Sequence, residues 1–126
     1  MRDWGLFEYP TADLVECAIL LAREYGFPRE VTPAEWVNAR FFGLGPHVVF
    51  WIEPVPYFEE DFAVHLAVDP EVRGRWPVRR WLEIVRELTL DMGGKRLRAI
   101  CDPPVADYLE RVGWQVGEVG HVWHLE

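Results

Sequence analysis

Apolar side chains recur every three or four positions in several stretches of the chain, which is the spacing of one helix face. The longest such stretch runs from Val78 to Met92 and is followed by Gly93 and Gly94, so it predicts a helix with a glycine stop. A second stretch begins after Thr11 and ends near Gly26. The hydrophobic pattern therefore predicts two helices.

Two further helices are predicted by their start signals. Residues 32–35 read Thr-Pro-Ala-Glu, which is a capping box with proline in the first turn. The pattern extends this helix to about Phe42. Asp102 followed by Pro103 predicts the start of the last helix, which ends at Gly113.

Other stretches alternate between apolar and polar positions or are rich in β-branched and aromatic residues, as in strands. In Asp61–Val68 the larger apolar side chains fall on one face, and Ala63, His65 and Ala67 fall on the other. The remaining predicted strands are Trp4–Tyr9, His47–Glu53, Arg96–Cys101, Trp114–Val119 and His121–Leu125.

This alternation of strands and helices predicts an α/β fold in which helices flank a mixed sheet. The chain has 126 residues, a length that suits one domain, so we assign residues 1–126 to a single domain.

Composition narrows the possible partners. The net charge of −8 opposes contact with a phosphate backbone, so we expect no nucleic-acid binding. Unbroken apolar runs such as Val48–Ile52 are far shorter than the roughly 20 residues of a membrane span. No signal peptide is recognised, and Cys17 and Cys101 are expected to be reduced thiols. We therefore expect a cytoplasmic protein that does not bind membranes.

The histidines and cysteines do not predict a metal site. His121 and His124 are three positions apart in a predicted strand, so they point to opposite faces. Neither cysteine has a cysteine or histidine close to it in sequence. The chain contains no serine, which excludes a serine nucleophile.

One segment carries a family resemblance. Residues 66–76 read Leu-Ala-Val-Asp-Pro-Glu-Val-Arg-Gly-Arg-Trp, and residues 109–114 read Leu-Glu-Arg-Val-Gly-Trp. This segment resembles the GNAT family of N-acetyltransferases, in which a strand ends in a Val-Asp-Pro-like turn and an Arg-Gly-rich loop opens a long helix. The resemblance implies a GNAT-like mixed sheet in which the strands Asp61–Val68 and Arg96–Cys101 are parallel neighbours that splay apart.

The same resemblance implies that the loop and the helix start hold the pyrophosphate of acetyl-CoA. The implied cofactor-binding residues are Val68, Arg73, Gly74, Arg75, Trp76 and Arg79. Arg73, Arg75, Arg79 and Arg80 are concentrated at this helix start in an otherwise acidic chain, and Arg73 and Arg75 are the expected phosphate contacts. Trp76 and Val78 stand where the family usually has glycines, and Pro77 between them lacks a donor.

The implied catalytic residues are Glu60, Asp61 and Tyr108. A carboxylate near the start of the Asp61 strand deprotonates the amine in many family members, and Glu60 or Asp61 stands near that place. The alternative reading of these acids is a polar turn. His65 could be a base in the cleft, and the favoured reading is that it is a packed, hydrogen-bonded strand residue. The tyrosine that protonates the thiolate in the family is replaced by Leu109, with Tyr108 one position away.

Two functions therefore remain open. The first is an acetyltransferase that uses acetyl-CoA to acylate an unidentified amine held by the first two helices. The second is a GNAT-like domain without activity that serves as a binding or structural protein, similar to short divergent proteins encoded by phages and packaged in virions. The acceptor, any protein partner and the oligomeric state are not specified by the sequence.

Overall fold

The computed structural model describes residues 4–99, 103–117 and 120–125. In this part of the chain, seven strands form one sheet in the order β1-β2-β3-β4-β5-β7-β6. All neighbouring strands are antiparallel except β4 and β5, which are parallel. The strands are β1 (Leu6–Glu8), β2 (Arg40–Leu44), β3 (Val48–Pro54), β4 (Asp61–Val68), β5 (Arg96–Ala99), β6 (Gln115–Val116) and β7 (His121–His124).

Four helices accompany this sheet: α1 (Ala12–Glu24), α2 (Pro33–Asn38), α3 (Val78–Asp91) and α4 (Pro103–Arg111). The hydroxyl of Thr11 accepts a hydrogen bond from the Leu14 amide and caps α1. The capping box predicted at Thr32 and Glu35 is present at the start of α2. Cys101, the predicted cap Asp102 and Val119 lie outside the described residues. Among the described helices, none has the length and apolar character needed to cross a membrane.

The prediction that α2 runs to about Phe42 is wrong. The helix ends at Asn38, and Arg40 already begins β2. Phe41 stacks on Trp51 on one face of the sheet, and Phe42 stacks on Phe50 on the other. Consecutive apolar residues that are buried on opposite faces require a strand, and this tertiary packing overrides the helical start signal.

The sheet separates two cores. On one face, α3 and α4 cover a large cluster that includes Phe50, Val64 and Val85. On the other face, α1 packs Ala18 and Ala22 against Phe41, Trp51 and Ala67. This is the predicted mixed sheet flanked by helices.

The strands β4 and β5 are parallel neighbours with α3 between them along the chain, as the sequence predicts. Residues 61–63 of β4 pair with residues 96–98 of β5. The strand β4 continues to Val68, and in the described residues its last five positions have no partner on β5. The two strands are therefore closed at one end and open at the other.

Candidate functional site

A cleft of about 750 Å³ lies at the open end of β4. Tyr25 to Pro28, after α1, form one wall, and Trp81 and Tyr108, from α3 and α4, belong to the opposite wall. The residues that line the cleft are Tyr25, Gly26, Phe27, Pro28, Leu66, Ala67, Val68, Arg73, Gly74, Trp76, Val78, Trp81, Tyr108 and Leu109.

This cleft passes from one face of the sheet to the other. Ala67 belongs to the core under α1, whereas Val68 and Trp81 belong to the core under α3, yet all of them line the same cleft. Because a continuous sheet would separate these residues, the shared cleft agrees with a sheet that, among the described residues, is open beyond residue 63. The edge of β4 from Leu66 to Val68 is therefore accessible from the cleft.

The loop from β4 to α3 presents an open helix N-terminus to this cleft. Pro77 caps α3 without a side-chain hydrogen bond, and the first turn contains no acidic residue. The amide of Val78 donates to the carbonyl of Trp76, and the amides of Arg79 and Arg80 have no acceptor among the described residues. Free amides at the positive end of a helix dipole, beside two guanidinium groups, favour anion binding. Of this first turn, Val78 lines the cleft and Arg79 and Arg80 do not.

Two of the predicted phosphate contacts already have partners within the protein. Arg73 donates to the carbonyl of Tyr25 at 2.8 Å and to that of Val68 at 3.3 Å, so it ties the end of α1 to the end of β4. Arg75 donates to the carbonyl of Glu71. In the described part of the chain, Arg79 and Arg80 form no ion pair. Arg79 and Arg80 are therefore uncommitted cationic groups in that part of the chain, and Arg73 and Arg75 keep further N–H donors.

Trp76, Val68 and Tyr108 lie where the sequence predicts them, on the wall of the cleft. Trp76 packs edge-on against Trp81 at 5.8 Å between ring centroids. Tyr108 and Leu109 both line the cleft, so the single-position offset still leaves the Tyr108 side chain on its wall.

Glu60 and Asp61 lie at the opposite end of the strand pair. Asp61 is buried and binds the guanidinium groups of Arg96 at 2.5 Å and Arg98 at 2.6 Å. Glu60 is 3.7 Å from both Lys95 and Arg96. Asp61 is six positions from Ala67, or about 20 Å along an extended strand. The structure therefore does not bring these carboxylates to the cleft.

The titration behaviour of Asp61 follows from this environment. Burial by itself raises the pKa of the carboxyl, but hydrogen bonds from Arg96 and Arg98 and their charges outweigh it and hold the pKa below its ordinary value. A carboxylate of low pKa whose two oxygens are engaged is a poor proton acceptor. The role of Asp61 as a base, expected from the sequence, does not agree with this geometry.

A different titratable group lies beside the cleft. Nε2 of His65 is 2.7 Å from Oε1 of Glu53 and 3.9 Å from Oε2 of Glu35. The His65 ring stacks on Trp51 at 5.3 Å, and the edge of Phe27 approaches it at 6.2 Å. From the sequence, His65 is favoured as a packed strand residue over a base in the cleft, and neither Glu53 nor Glu35 is predicted to belong to the site.

Glu35 is the most strongly held carboxylate of this group. Its oxygens accept hydrogen bonds from Arg29 at 2.6 and 3.0 Å, from Thr32 and from the indole of Trp51. Burial opposes ionisation, but these hydrogen bonds and the charge of Arg29 lower the pKa of Glu35 from 4.5 to about 2. Glu35 is thus a permanently charged partner of Arg29.

The ligand atoms of Glu35, Glu53 and His65 lie within 4.8 Å of one another, a spacing that a metal ion could use. A cation there would have to compete with the guanidinium group of Arg29 for Glu35. The signal that could have identified this cluster is the register of β3 and β4. Trp51 lies opposite His65, and Glu53, two positions along β3, is its diagonal neighbour on the same face.

No family model and no curated protein sequence matches the chain, but solved structures match nearly its whole length. A Desulfovibrio desulfuricans protein assigned to the GNAT acetyltransferases has a TM-score of 0.71 at 15% identity, with 97% of this chain and 99% of that chain covered. An acetyltransferase from Thermus thermophilus has a TM-score of 0.62 at 20% identity, with coverages of 98% and 99%. A Salmonella typhimurium protein assigned as an acetyltransferase, solved with its cofactor acetyl-CoA, has a TM-score of 0.69 at 11% identity, with coverages of 99% and 95%. The chain therefore has the GNAT fold.

Proposed function

We propose that the protein is an acetyl-CoA-dependent N-acetyltransferase whose donor binds in the cleft at the open end of β4. The observation that carries the proposal is that this cleft joins an accessible strand edge to an open helix N-terminus. The similarity to a structure solved with acetyl-CoA supports the same donor. Because acetyl-CoA is an intracellular metabolite, the proposal implies a cytoplasmic protein.

The helix start beside the cleft suits acetyl-CoA in charge. The amides and side chains of Arg79 and Arg80, next to the cleft residue Val78, offer donors to a pyrophosphate. A Cβ on Gly74 would meet no atom within 4 Å, which leaves space beside the loop. Trp76 adds bulk to the loop and Pro77 lacks an amide hydrogen, and the free amides of Arg79 and Arg80 offset this loss.

When bound, acetyl-CoA supplies an activated acetyl thioester. The chain itself supplies three functions around it. Arg79 and Arg80 hold the phosphates, the edge Leu66–Val68 offers backbone hydrogen bonds, and the walls formed by Trp76 and Phe27 exclude water. Tyr108 carries a hydroxyl at the cleft wall and is the candidate that gives a proton to the departing thiolate.

Calorimetry with acetyl-CoA tests the donor site. We expect the double variant Arg79→Ala/Arg80→Ala to lower the affinity about tenfold or more, because each lost charged hydrogen bond costs about 1.5–3 kcal/mol. The matched control Arg40→Ala/Lys95→Ala removes the same charge from ion pairs at the other end of the sheet, and it should change the affinity less than about twofold.

Release of free thiol with a panel of amines tests the transfer. Donor-dependent acetylation above the uncatalysed rate is expected. No binding at millimolar acetyl-CoA would refute the proposal. Binding without turnover on any amine would instead favour the second function predicted from the sequence, a binding or virion protein with a GNAT-like fold.

A further inference from the structure

We propose that His65, held by Glu53, accepts the proton that the acceptor amine loses during transfer. This inference rests on the proposed function, and it joins Glu53 to a histidine that the sequence offers only as the less favoured base. The observation that carries it is the position of the pair between two cavities on the same face of β4.

The first step of the argument is location. Ala67 lines the donor cleft, and Ala63 lines a second cavity of about 480 Å³ bounded by Arg29, Glu35 and Glu53. Alternate residues of a strand are about 7 Å apart on one face, so along β4 His65 lies between the two cavities, although it lines neither. An acceptor in the second cavity and a donor in the cleft would approach each other over this part of β4.

The second step is orientation. With Nε2 against the Glu53 carboxylate at 2.7 Å, the hydrogen of the neutral ring lies on Nε2, and Nδ1 keeps its lone pair. No described residue donates a hydrogen bond to Nδ1. Trp51 and Phe27 fix the plane of the ring. A carboxylate that holds one imidazole nitrogen while the other accepts a proton is the arrangement of a general base.

The third step is charge. The charged groups that face His65 are Glu53 from β3, Glu35 from α2 and Arg29 from the loop between α1 and α2. Arg29 pairs with Glu35, so Glu53 is the carboxylate left to pair with the imidazole. The same pairing disfavours a metal ion, because Glu35 would have to leave a guanidinium group that holds both of its oxygens.

The proton balance is simple. As the bond between the amine nitrogen and the acetyl carbon forms and the carbon–sulfur bond breaks, one proton passes from nitrogen to Nδ1 of His65. One proton passes to sulfur from Tyr108 or from water. His65 then returns its proton to solvent, and neither an oxidant nor a reductant is needed.

The test compares His65→Gln and Glu53→Gln with the matched control His124→Gln, an exposed histidine on β7. We expect His65→Gln to lower kcat about 10²–10⁴-fold with acetyl-CoA affinity unchanged by calorimetry. Added imidazole should restore part of the activity. The control should match the wild type.

A second readout needs no turnover. Nitrogen NMR shifts of the imidazole in the free protein report which ring nitrogen carries the hydrogen, and we expect the Nε2–H form of His65 in the wild type. Glu53→Gln should change this tautomer balance and lower kcat about tenfold or more. If His65→Gln does not fold, the Glu53→Gln arm decides the question.

Four results would overturn the inference. The first is a His65→Gln enzyme within about threefold of the wild type. The second is a large loss in Glu60→Gln with none in His65→Gln, which would return the base to the start of β4. The third is activity that is abolished by a chelator and restored by Zn²⁺, which would make the cluster a metal site. The fourth is a wild type without transfer activity, which would refute the proposed function as well, whereas the first three leave that function intact.

Discussion

The two ends of the β4–β5 strand pair differ in whether the two strands are joined. At the closed end, Asp61 joins Arg96 and Arg98 across the two strands, and the carbonyl of Glu60 accepts from the amides of Lys95 and Arg96. At the open end, residues 64–68 have no partner on β5 among the described residues, and a cleft takes its place.

The closed end contributes stability to the fold, and the open end carries the proposed chemistry. An open strand edge leaves backbone donors and acceptors unpaired, which costs stability unless a ligand or water satisfies them. The ion pairs and the packing at the other end keep the strands together despite this gap. The acidic pair at 60–61 therefore stabilises the fold, and the proposed proton transfer uses a different group.

The largest expected effect comes from breaking the closed end. Asp61→Asn leaves two guanidinium groups without their carboxylate, and removal of one partner of a buried ion pair costs about 3–5 kcal/mol. Side chains of Arg96 and Arg98 are about one third exposed, so water recovers part of this and the lower end is expected. Urea unfolding at neutral pH measures it.

Glu60→Gln is the matched control for that variant. Glu60 is half exposed and its ion pairs are long, so the loss should stay below about 1 kcal/mol. Equal losses in the two variants would show that Asp61 does not hold the strands together.

Local signals predicted much of this fold. The capping box at Thr32 and the apolar stripe of α3 depend on residues a few positions apart, and both are confirmed. The sequence does not predict strand β2, because the strand conformation of Phe41 and Phe42 depends on their stacking on Trp51 and Phe50. These partners belong to another strand.

The site was less predictable for the same reason. Asp61 meets Arg96 and Arg98 only after 35 and 37 positions of intervening chain, so its ion pairs are not visible in local sequence. The His65–Glu53 pair depends on the register of β3 and β4. The Arg-Gly loop was placed correctly because its signal and its location are both local, although Arg73 and Arg75 donate to backbone carbonyls.

The next expected effect concerns the ion pair beside the open end. A pKa of Glu35 that falls from 4.5 to about 2 on folding corresponds to about 3 kcal/mol of stability at neutral pH. Because the folded pKa is the lower one, this stability is fully present above pH 4.5 and is lost as the pH falls through about 2. Glu35→Gln should therefore lose about 3 kcal/mol at pH 7.

Urea unfolding of both proteins at pH 7, 4, 3 and 2 checks the sign. The difference between the wild type and Glu35→Gln should shrink as the pH falls, because protonation removes the same charge from the wild type. A difference that stays constant down to pH 2 would show that the Arg29–Glu35 ion pair is not its source.

The smallest expected effect compares the two ends through single methyl groups. Gly94 lies at the closed end, where an added Cβ would meet Phe62 at 2.5 Å and Thr89 at 2.6 Å. Gly94→Ala should cost about 1–3 kcal/mol through overpacking. Gly74 lies at the open end with φ +81° and nothing within 4 Å of a Cβ. Gly74→Ala should therefore cost about 1 kcal/mol, from backbone strain alone.

Gly113→Ala separates strain from binding in this comparison. Gly113 has φ +108° and equally open surroundings, but it does not line the cleft. Its alanine variant should lose about as much stability as Gly74→Ala and keep the affinity for acetyl-CoA, since the strain moves no donor of the loop. Gly74→Ala should weaken that affinity, because a strained residue at the centre of the loop displaces the amides that lead into α3.

Thermal unfolding and calorimetry on the three glycine variants measure the stability loss and the affinity for acetyl-CoA. Equal affinities for Gly74→Ala and Gly113→Ala would show that the loop does not belong to the donor site. A stability loss in Gly74→Ala that matches the loss in Gly94→Ala would mean that the open end is packed as tightly as the closed one.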